Sequence, residues 1–188
     1  MKEIYESPQS FEKTLRGNLL SENGSFRVTH SEIEFPNSIR EKLEDRTIDK
    51  IYVVGQGTAA VAGQALSQYL SEETEISVES IPSTELSGFK LSTDMSNVLV
   101  VAISQSGTTT DTNRTVDLVR GRGASVIAIV NRRNSDLSQK ADGVIYTSDG
   151  RDIEMSVAST KAFYSQVAAS ILLGLSLIHI SEPTRRLN

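Results

Sequence analysis

Cysteine and tryptophan are absent from this chain, and histidine occurs only at His30 and His179. The lack of cysteine excludes disulfides, a thiolate nucleophile and cysteine-ligated zinc, and fits a cytoplasmic protein. Two histidines far apart in sequence argue against a histidine metal site and against a Ser-His-Asp triad. Aromatic residues make up 5% of the chain, too few for a base-stacking nucleic-acid platform. The formal net charge of −5 gives no general attraction to nucleic acid or to an anionic membrane. The N-terminus, Met1-Lys2-Glu3-Ile4-Tyr5-Glu6, has no apolar signal-peptide stretch. The longest apolar segment, Val167 to Ile180, is broken by serines and falls short of the ~20 residues a membrane span needs.

What is present is a soluble domain of ordinary composition. The 188 residues are 38% hydrophobic, enough for a real core. Short β-branched runs alternate with helical patterns. Strands are expected at Ile51–Val54, Ile76–Val78, Val98–Ile103, Val126–Val130 and Gly143–Tyr146. Helices are expected near 59–70, 111–120, 135–140 and 159–175, with a turn or short helix over 82–89. Residues 1–17 read as an amphipathic helix built on Phe11 and Leu15, residues 18–30 as a polar loop, and residues 33–43 as a helical pattern broken by Pro36. This alternation specifies a three-layer α/β sandwich around a five-stranded parallel, flavodoxin-like sheet. In such sheets ligands sit beyond the carboxyl ends of the strands, at the topological switch point.

The most informative loop follows the third strand: Ser104-Gln105-Ser106-Gly107-Thr108-Thr109-Thr110. A helix pattern opens directly after it. The first backbone N–H groups of a helix have no partner inside it, and the helix dipole adds positive potential there. Small hydroxyls add donors without bulk, and a glycine lets backbone approach a ligand. A phosphate monoester fits such a site. One Ser or Thr suffices to cap a helix; six hydroxyl or amide side chains around one glycine exceed that need. The loop contains no lysine, so it is not a Walker P-loop.

Two other loops also face the expected ligand edge. Gly55-Gln56-Gly57-Thr58-Ala59-Ala60 fits the loose dinucleotide pattern G-x-G-x-x-A, with Glu79 at the expected close of the second strand in the place of a ribose-binding acid. That reading makes the domain NAD(P)-binding but leaves the hydroxyl loop without a purpose. Glu154 to Phe163 opens the last helix; Lys161 reads as a solvated or structural cation and Glu154 as an acid favoured by the helix dipole.

Four segments together resemble the SIS (sugar isomerase) domain family, and within it the first isomerase subdomain of the glutamine–fructose-6-phosphate aminotransferases. Lys2 to Pro8 is similar to the segment following that family's glutaminase domain, and Gln56-Gly57-Thr58 to its Cys-Gly-Thr-Ser loop. Ser104 to Thr109 resembles its phosphate loop, Ser-Gln-Ser-Gly-Glu-Thr, and Val157 to Phe163 resembles its last motif nearly residue for residue. The resemblance implies phosphate binding by Ser104, Gln105, Ser106 and Thr109, and sugar binding by Gly57, Thr58, Val157 and Ser159. It implies a phosphorylated hexose as partner, such as fructose 6-phosphate or glucosamine 6-phosphate, no cofactor or metal, and a homodimer in the intact protein. Gln56, Ala59 and Thr108 replace the family's Cys, Ser and Glu, so sugar contacts there differ, and Glu85 matches the family's Ser-Glu-Phe acid poorly.

By the same resemblance the chain divides into an N-terminal helical segment (1–45), the SIS domain (46–175) and a tail (176–188) similar to translated adapter read-through, without function. The family's catalytic Lys, Glu and His lie in a second subdomain and a C-terminal tail, and its glutaminase nucleophile is an N-terminal Cys. The expectation is therefore a phosphosugar-binding fragment of an isomerising aminotransferase. A phosphosugar-sensing module without enzymatic activity is the alternative beside the NAD(P) reading; a basic helix-turn-helix would mark it, and none is visible.

Overall fold

The computed structural model describes residues 2–22, 25–154 and 159–181. Helix α1 (Lys2–Leu15) leads into an antiparallel hairpin, β1 (Leu19–Glu22) and β2 (Ser25–Val28), and then α2 (Asn37–Glu44). The doubly wound unit follows: β3 (Lys50–Gly55), α3 (Thr58–Glu73), β4 (Ser77–Pro82), α4 (Ser83–Phe89), β5 (Val98–Ser104), α5 (Thr110–Arg120), β6 (Ser125–Val130), α6 (Asp136–Lys140) and β7 (Gly143–Tyr146). A 3-10 turn at Ser148–Gly150 and the long α7 (Lys161–Ser181) close the fold.

Strands β3 to β7 form one parallel sheet in the order β4-β3-β5-β6-β7. This is the expected flavodoxin-like sheet. Strands β3, β5 and β6 are buried on both faces, which is why their sequences are continuous apolar runs; β4, at the edge, carries Ser77, Glu79 and Ser80 and is only partly covered. Successive residues still divide between two cores. Ile51, Val53, Leu99, Val101, Ile103 and Ile127 pack with α2, α3 and α7. Tyr52, Val54, Val100, Ala102, Val126 and Ala128 pack with α4, α5 and α6. The period of two along each strand sorts them.

Two sequence expectations are corrected. Residues 18–30 are not a plain loop: Leu19–Glu22 and Ser25–Val28 pair as the hairpin. Each arm is four residues long, too short for its polar alternation to stand out from a turn. The N-terminal helix forms over Lys2–Leu15 but turns the opposite way to the expected amphipathic packing. Ser10 and Thr14 are its buried residues, while Ile4, Tyr5 and Phe11 are exposed.

Helix α7 is longer than the 159–175 pattern. It runs to Ser181, and Leu177 and Ile178 beyond that limit are fully buried in the core with Leu173. At 21 residues it is long and apolar enough to cross a bilayer, yet 61% of that stretch is covered by the rest of the protein, so the core accounts for its composition.

Candidate functional site

The sheet order creates a switch point between β3 and β5. From β3 the chain crosses to β4 on one side, whereas β5 lies on the other and leads on to β6 and β7. The ends of β3 and β5 are in register, Val54 opposite Ala102, so the loops that follow diverge around a crevice. The Gly57 and Ser104–Thr109 loops flank that crevice. Gln56 joins them, its Nε2 donating at 3.4 Å to Asp111 Oδ2 and at 3.4 Å to Thr84 Oγ1.

The hydroxyl loop is wound tightly. The Gly107 N–H donates to Ser104 Oγ at 3.1 Å, and Thr108 N–H and Oγ1–H reach Ser106 Oγ at 3.2 and 3.0 Å. Ser104 Oγ and Thr109 Oγ1 lie 3.3 Å apart. Asn113 Nδ2 donates to the carbonyls of Gly107 and Thr109 at 3.0 and 3.1 Å, tying the loop to the first turn of α5. Gly107 has φ +65°, open to glycine and strained for other residues. A Cβ there would overlap Ser135 Oγ outright and lie 2.5 Å from Ser135 Cβ and 2.9 Å from Val130 Cγ2. The following turn is bonded to the loop as well: Leu137 N–H donates to Gly107 O at 3.0 Å.

Thr109 stands at the N-cap of α5 but makes no side-chain capping bond. The abundance of hydroxyls is therefore not spent on capping. Backbone N–H groups of the first turn, the positive end of the helix dipole and nearby Ser and Thr hydroxyls form a donor set complementary to an oxyanion. Ser104 is buried and serves the loop's own shape, Gln105 and Ser106 are half-buried, and Thr108 is exposed.

The Gly57 loop differs. Gly57 has φ +58° and precedes α3, but nothing lies within 4 Å of where its Cβ would stand. Thr58 begins α3 and is half-buried. Glu79, expected to close its strand, lies instead in the middle of β4, opposite Tyr52. Its strand continues to Pro82, because Ser80 and Ile81 extend the ladder against β3. Glu79 pairs with Lys90 and, at 4.0 Å, with Lys50. An acid set back from the carboxyl edge and already paired is not placed for a ribose, so the dinucleotide reading loses its second support.

Of the third segment, Val157 lies outside the described residues. Ser159 is half-buried just before α7. Among the described residues no hydrogen bond joins it to the Ser104–Thr109 loop. Its neighbours are firmly anchored. Glu154 Oε1 and Oε2 accept the N–H groups of Thr160 and Ala162 at 3.3 and 3.0 Å, which makes Glu154 the acid serving the α7 N-terminus. Burial, with Glu3 alongside, holds its carboxyl above the ordinary range against those donors. Lys161 is 6% exposed and bonds Glu6 Oε2 at 2.5 Å. Burial works to lower its pKa, but the hydrogen bond and charge of Glu6 outweigh it and hold the ammonium charged. Of the solvated or structural cation that the sequence allowed, the buried pair with Glu6 matches the structural one.

Sequence reasoning missed the polar seam beside this pair. Ser10 and Ser148 donate to Asp152 Oδ2 at 2.7 and 2.5 Å, and Lys13 lies 3.3 Å from Oδ1. Burial would raise the Asp152 pKa, but these donors outweigh it and keep the carboxyl below the ordinary range. A cleft of about 360 Å³ opens there, lined by Lys2, Glu6, Lys13, Arg151, Asp152 and Lys161 among others. The signal was faint: Ser10 and Thr14, four residues apart on α1, in place of apolar residues.

A doubly wound parallel sheet with a hydroxyl loop and the N-terminus of α5 at its switch point defines a three-layer α/β domain of the flavodoxin-like type. The sequence pattern of the SIS domain matches residues 46–176, and the chain belongs to that family. It is 40% identical over 181 residues to a glutamine–fructose-6-phosphate aminotransferase (isomerizing) of Corynebacterium efficiens, covering 95% of this chain and 27% of that protein. To the Mycobacterium leprae enzyme of that name it is 38% identical over 177 residues, covering 94% and 26%. The chain thus spans about a quarter of the length of these curated relatives. Among solved structures, the C-terminal domain of glucosamine-fructose-6-phosphate aminotransferase from Francisella tularensis superposes with a TM-score of 0.82 at 24% identity, covering 98% of this chain and 49% of that one. A putative sugar-phosphate isomerase from Listeria monocytogenes superposes at 0.63 with 16% identity, covering 97% and 95%.

Proposed function

We propose that this chain is a phosphosugar-binding SIS subdomain of an isomerising aminotransferase that makes glucosamine 6-phosphate from fructose 6-phosphate. The phosphate is assigned to Ser104, Gln105, Ser106 and Thr109 with the N-terminus of α5. The sugar is assigned to Gly57, Thr58, Val157 and Ser159. The observation that carries this reading is the uncapped α5 terminus set in a ring of hydroxyls at the switch point. The likeness to the aminotransferases over nearly the whole chain supports the choice of a hexose 6-phosphate.

Moving a proton between C1 and C2 of the sugar requires a base. We assign that base to parts of the enzyme beyond the aligned quarter. The role of this chain is to hold the phosphate and orient the sugar. Residues 46–175 are the binding unit, 1–45 the helical segment before it, and 176–188 a tail without function in binding.

Calorimetric titration with fructose 6-phosphate tests the reading. Ser106→Ala and Thr109→Ala are each expected to weaken binding by about 1.5–3 kcal/mol, the size of a hydrogen bond to a charged group. Unchanged affinity in both variants refutes the loop assignment.

A further inference from the structure

The Ser104–Thr109 loop contains no cation, and exposed Asp111 and Asp136 stand in the first turns of α5 and α6 beside it. A bound phosphate monoester carries between one and two negative charges near neutral pH. Helix N-termini compensate part of that charge. The wall next to the loop holds an unassigned group that supplies more.

That wall is the turn after β6, Asn131-Arg132-Arg133-Asn134-Ser135. It is bonded directly to the hydroxyl loop. Gln105 O accepts the N–H groups of Asn131 at 3.2 Å and Arg132 at 3.3 Å. Ser135 packs on Gly107 so closely that no side chain fits between them. The backbone of Arg132 is therefore fixed at one hydrogen bond from the second residue of the loop.

The two arginines of the turn are not equivalent. Arg133 is strapped down: its guanidinium lies 4.5 Å over the Tyr146 ring, and its Nε donates to Asp149 O at 3.0 Å. Gly150, with φ +71°, makes room for it; a Cβ there would come within 2.7 Å of Arg133 Cγ. Arg132 is exposed and forms no ion pair among the described residues. One arginine holds the turn in place, and the other stands exposed beside the Ser104–Thr109 loop, its backbone bonded to Gln105.

We infer that Arg132 is the cation of the phosphosugar site, pairing with the phosphate across the Gln105 backbone junction. The inference rests on the proposed phosphate role of the Ser104–Thr109 loop. It makes the site selective for the dianionic over the monoanionic phosphate ester, because a guanidinium rewards the second charge and matches the phosphate's geometry with paired donors. A ligand with a sulfate or monoanionic ester in the same position gains less.

The test titrates the full chain with fructose 6-phosphate at low and moderate salt, at pH 5.5 and 7.5. Five proteins are compared: wild type, Arg132→Ala, Arg132→Lys, Ser106→Ala and Arg46→Ala. Arg46 lies before the amino end of β3 and pairs with Glu75, so its removal changes net charge equally but at the opposite edge. Arg132→Ala is expected to weaken binding about three- to tenfold at low salt, the range for an exposed charge pair strengthened by paired donors. The loss shrinks as salt rises, and the affinity gain from pH 5.5 to 7.5 flattens. Arg46→Ala leaves affinity unchanged, and Arg132→Lys restores part of it. If Ser106→Ala weakens binding and Arg132→Ala does not, the inference about Arg132 is overturned while the site stands. An equal loss in Arg46→Ala and Arg132→Ala also overturns it, by reducing the effect to net charge. If neither Ser106→Ala nor Arg132→Ala alters binding, the loop assignment falls and the inference falls with it.

Discussion

Two glycine loops flank the same crevice, and they are built on different principles. Gly107 and Gly57 both adopt positive φ, +65° and +58°. Around Gly107 the structure is full: Ser135 and Val130 occupy the space a side chain would need, and backbone hydrogen bonds join the loop to two neighbouring turns. Around Gly57 it is open. On the proposed assignment, rigidity sits where a phosphate needs donors at fixed positions, so that loop gains from being set before a ligand arrives. The opposite loop, with Gln56 and Thr58, would have room to adjust to a sugar.

The largest expected effect comes from filling the packed loop. Gly107→Ala combines a strained backbone with overpacking against Ser135, together about 3–6 kcal/mol of lost stability. Chemical denaturation measures it; a loss under about 1 kcal/mol shows that the loop yields after all. Next in size are Ser106→Ala and Thr109→Ala, which are expected to spare the fold and cost binding as stated above. Gly57→Ala is smaller. It meets no atoms, so only its backbone, φ +58° and ψ −129°, counts against it, about 1–3 kcal/mol. If Gly57→Ala and Gly107→Ala cost the same, the contrast between the loops is not one of packing.

The smallest effect lies away from the crevice and serves as its control. His30 is shielded beside Phe35 and the Leu172 backbone. Burial, opposed by the charge of Glu34, pushes its pKa below the ordinary value. The unfolded chain then binds the proton more readily than the folded one, so stability falls as pH drops below about 6.5 toward the folded pKa. His30→Phe is expected to flatten thermal stability over that window while leaving phosphosugar affinity alone. A slope that persists in the variant assigns the effect to other groups.

The sheet was legible because its central strands are short β-branched runs and helices such as α5 begin after a loop of small or polar residues; β4, with Ser77, Glu79 and Ser80, was the weaker signal. Val98 to Ile103 followed by Ser104 to Thr109 could hardly be another arrangement. The hydroxyl loop was legible for the same reason: it carries more small donors than a helix cap requires, some of which shape the loop itself. The seam between α1 and the approach to α7 was not legible. Ser10 is far in sequence from the local pair Ser148 and Asp152, and only the tertiary contact turns the three into a network. The helical pattern of Phe11 and Leu15 pointed to the wrong face because that seam, not apolar area, holds α1. Glu79 misled in a similar way: spacing gave its strand but not its depth in the sheet.

Thermal unfolding of the full chain with fructose 6-phosphate, glucosamine 6-phosphate, inorganic phosphate or NAD added in turn decides between a phosphosugar and a dinucleotide in the crevice. A ligand at 100 times its Kd adds about 2.7 kcal/mol of stability. Both phosphosugars are expected to stabilise the chain, inorganic phosphate less, and NAD not at all. Stabilisation by NAD with no response to either phosphosugar would contradict the phosphosugar reading and return the crevice to the glycine loop.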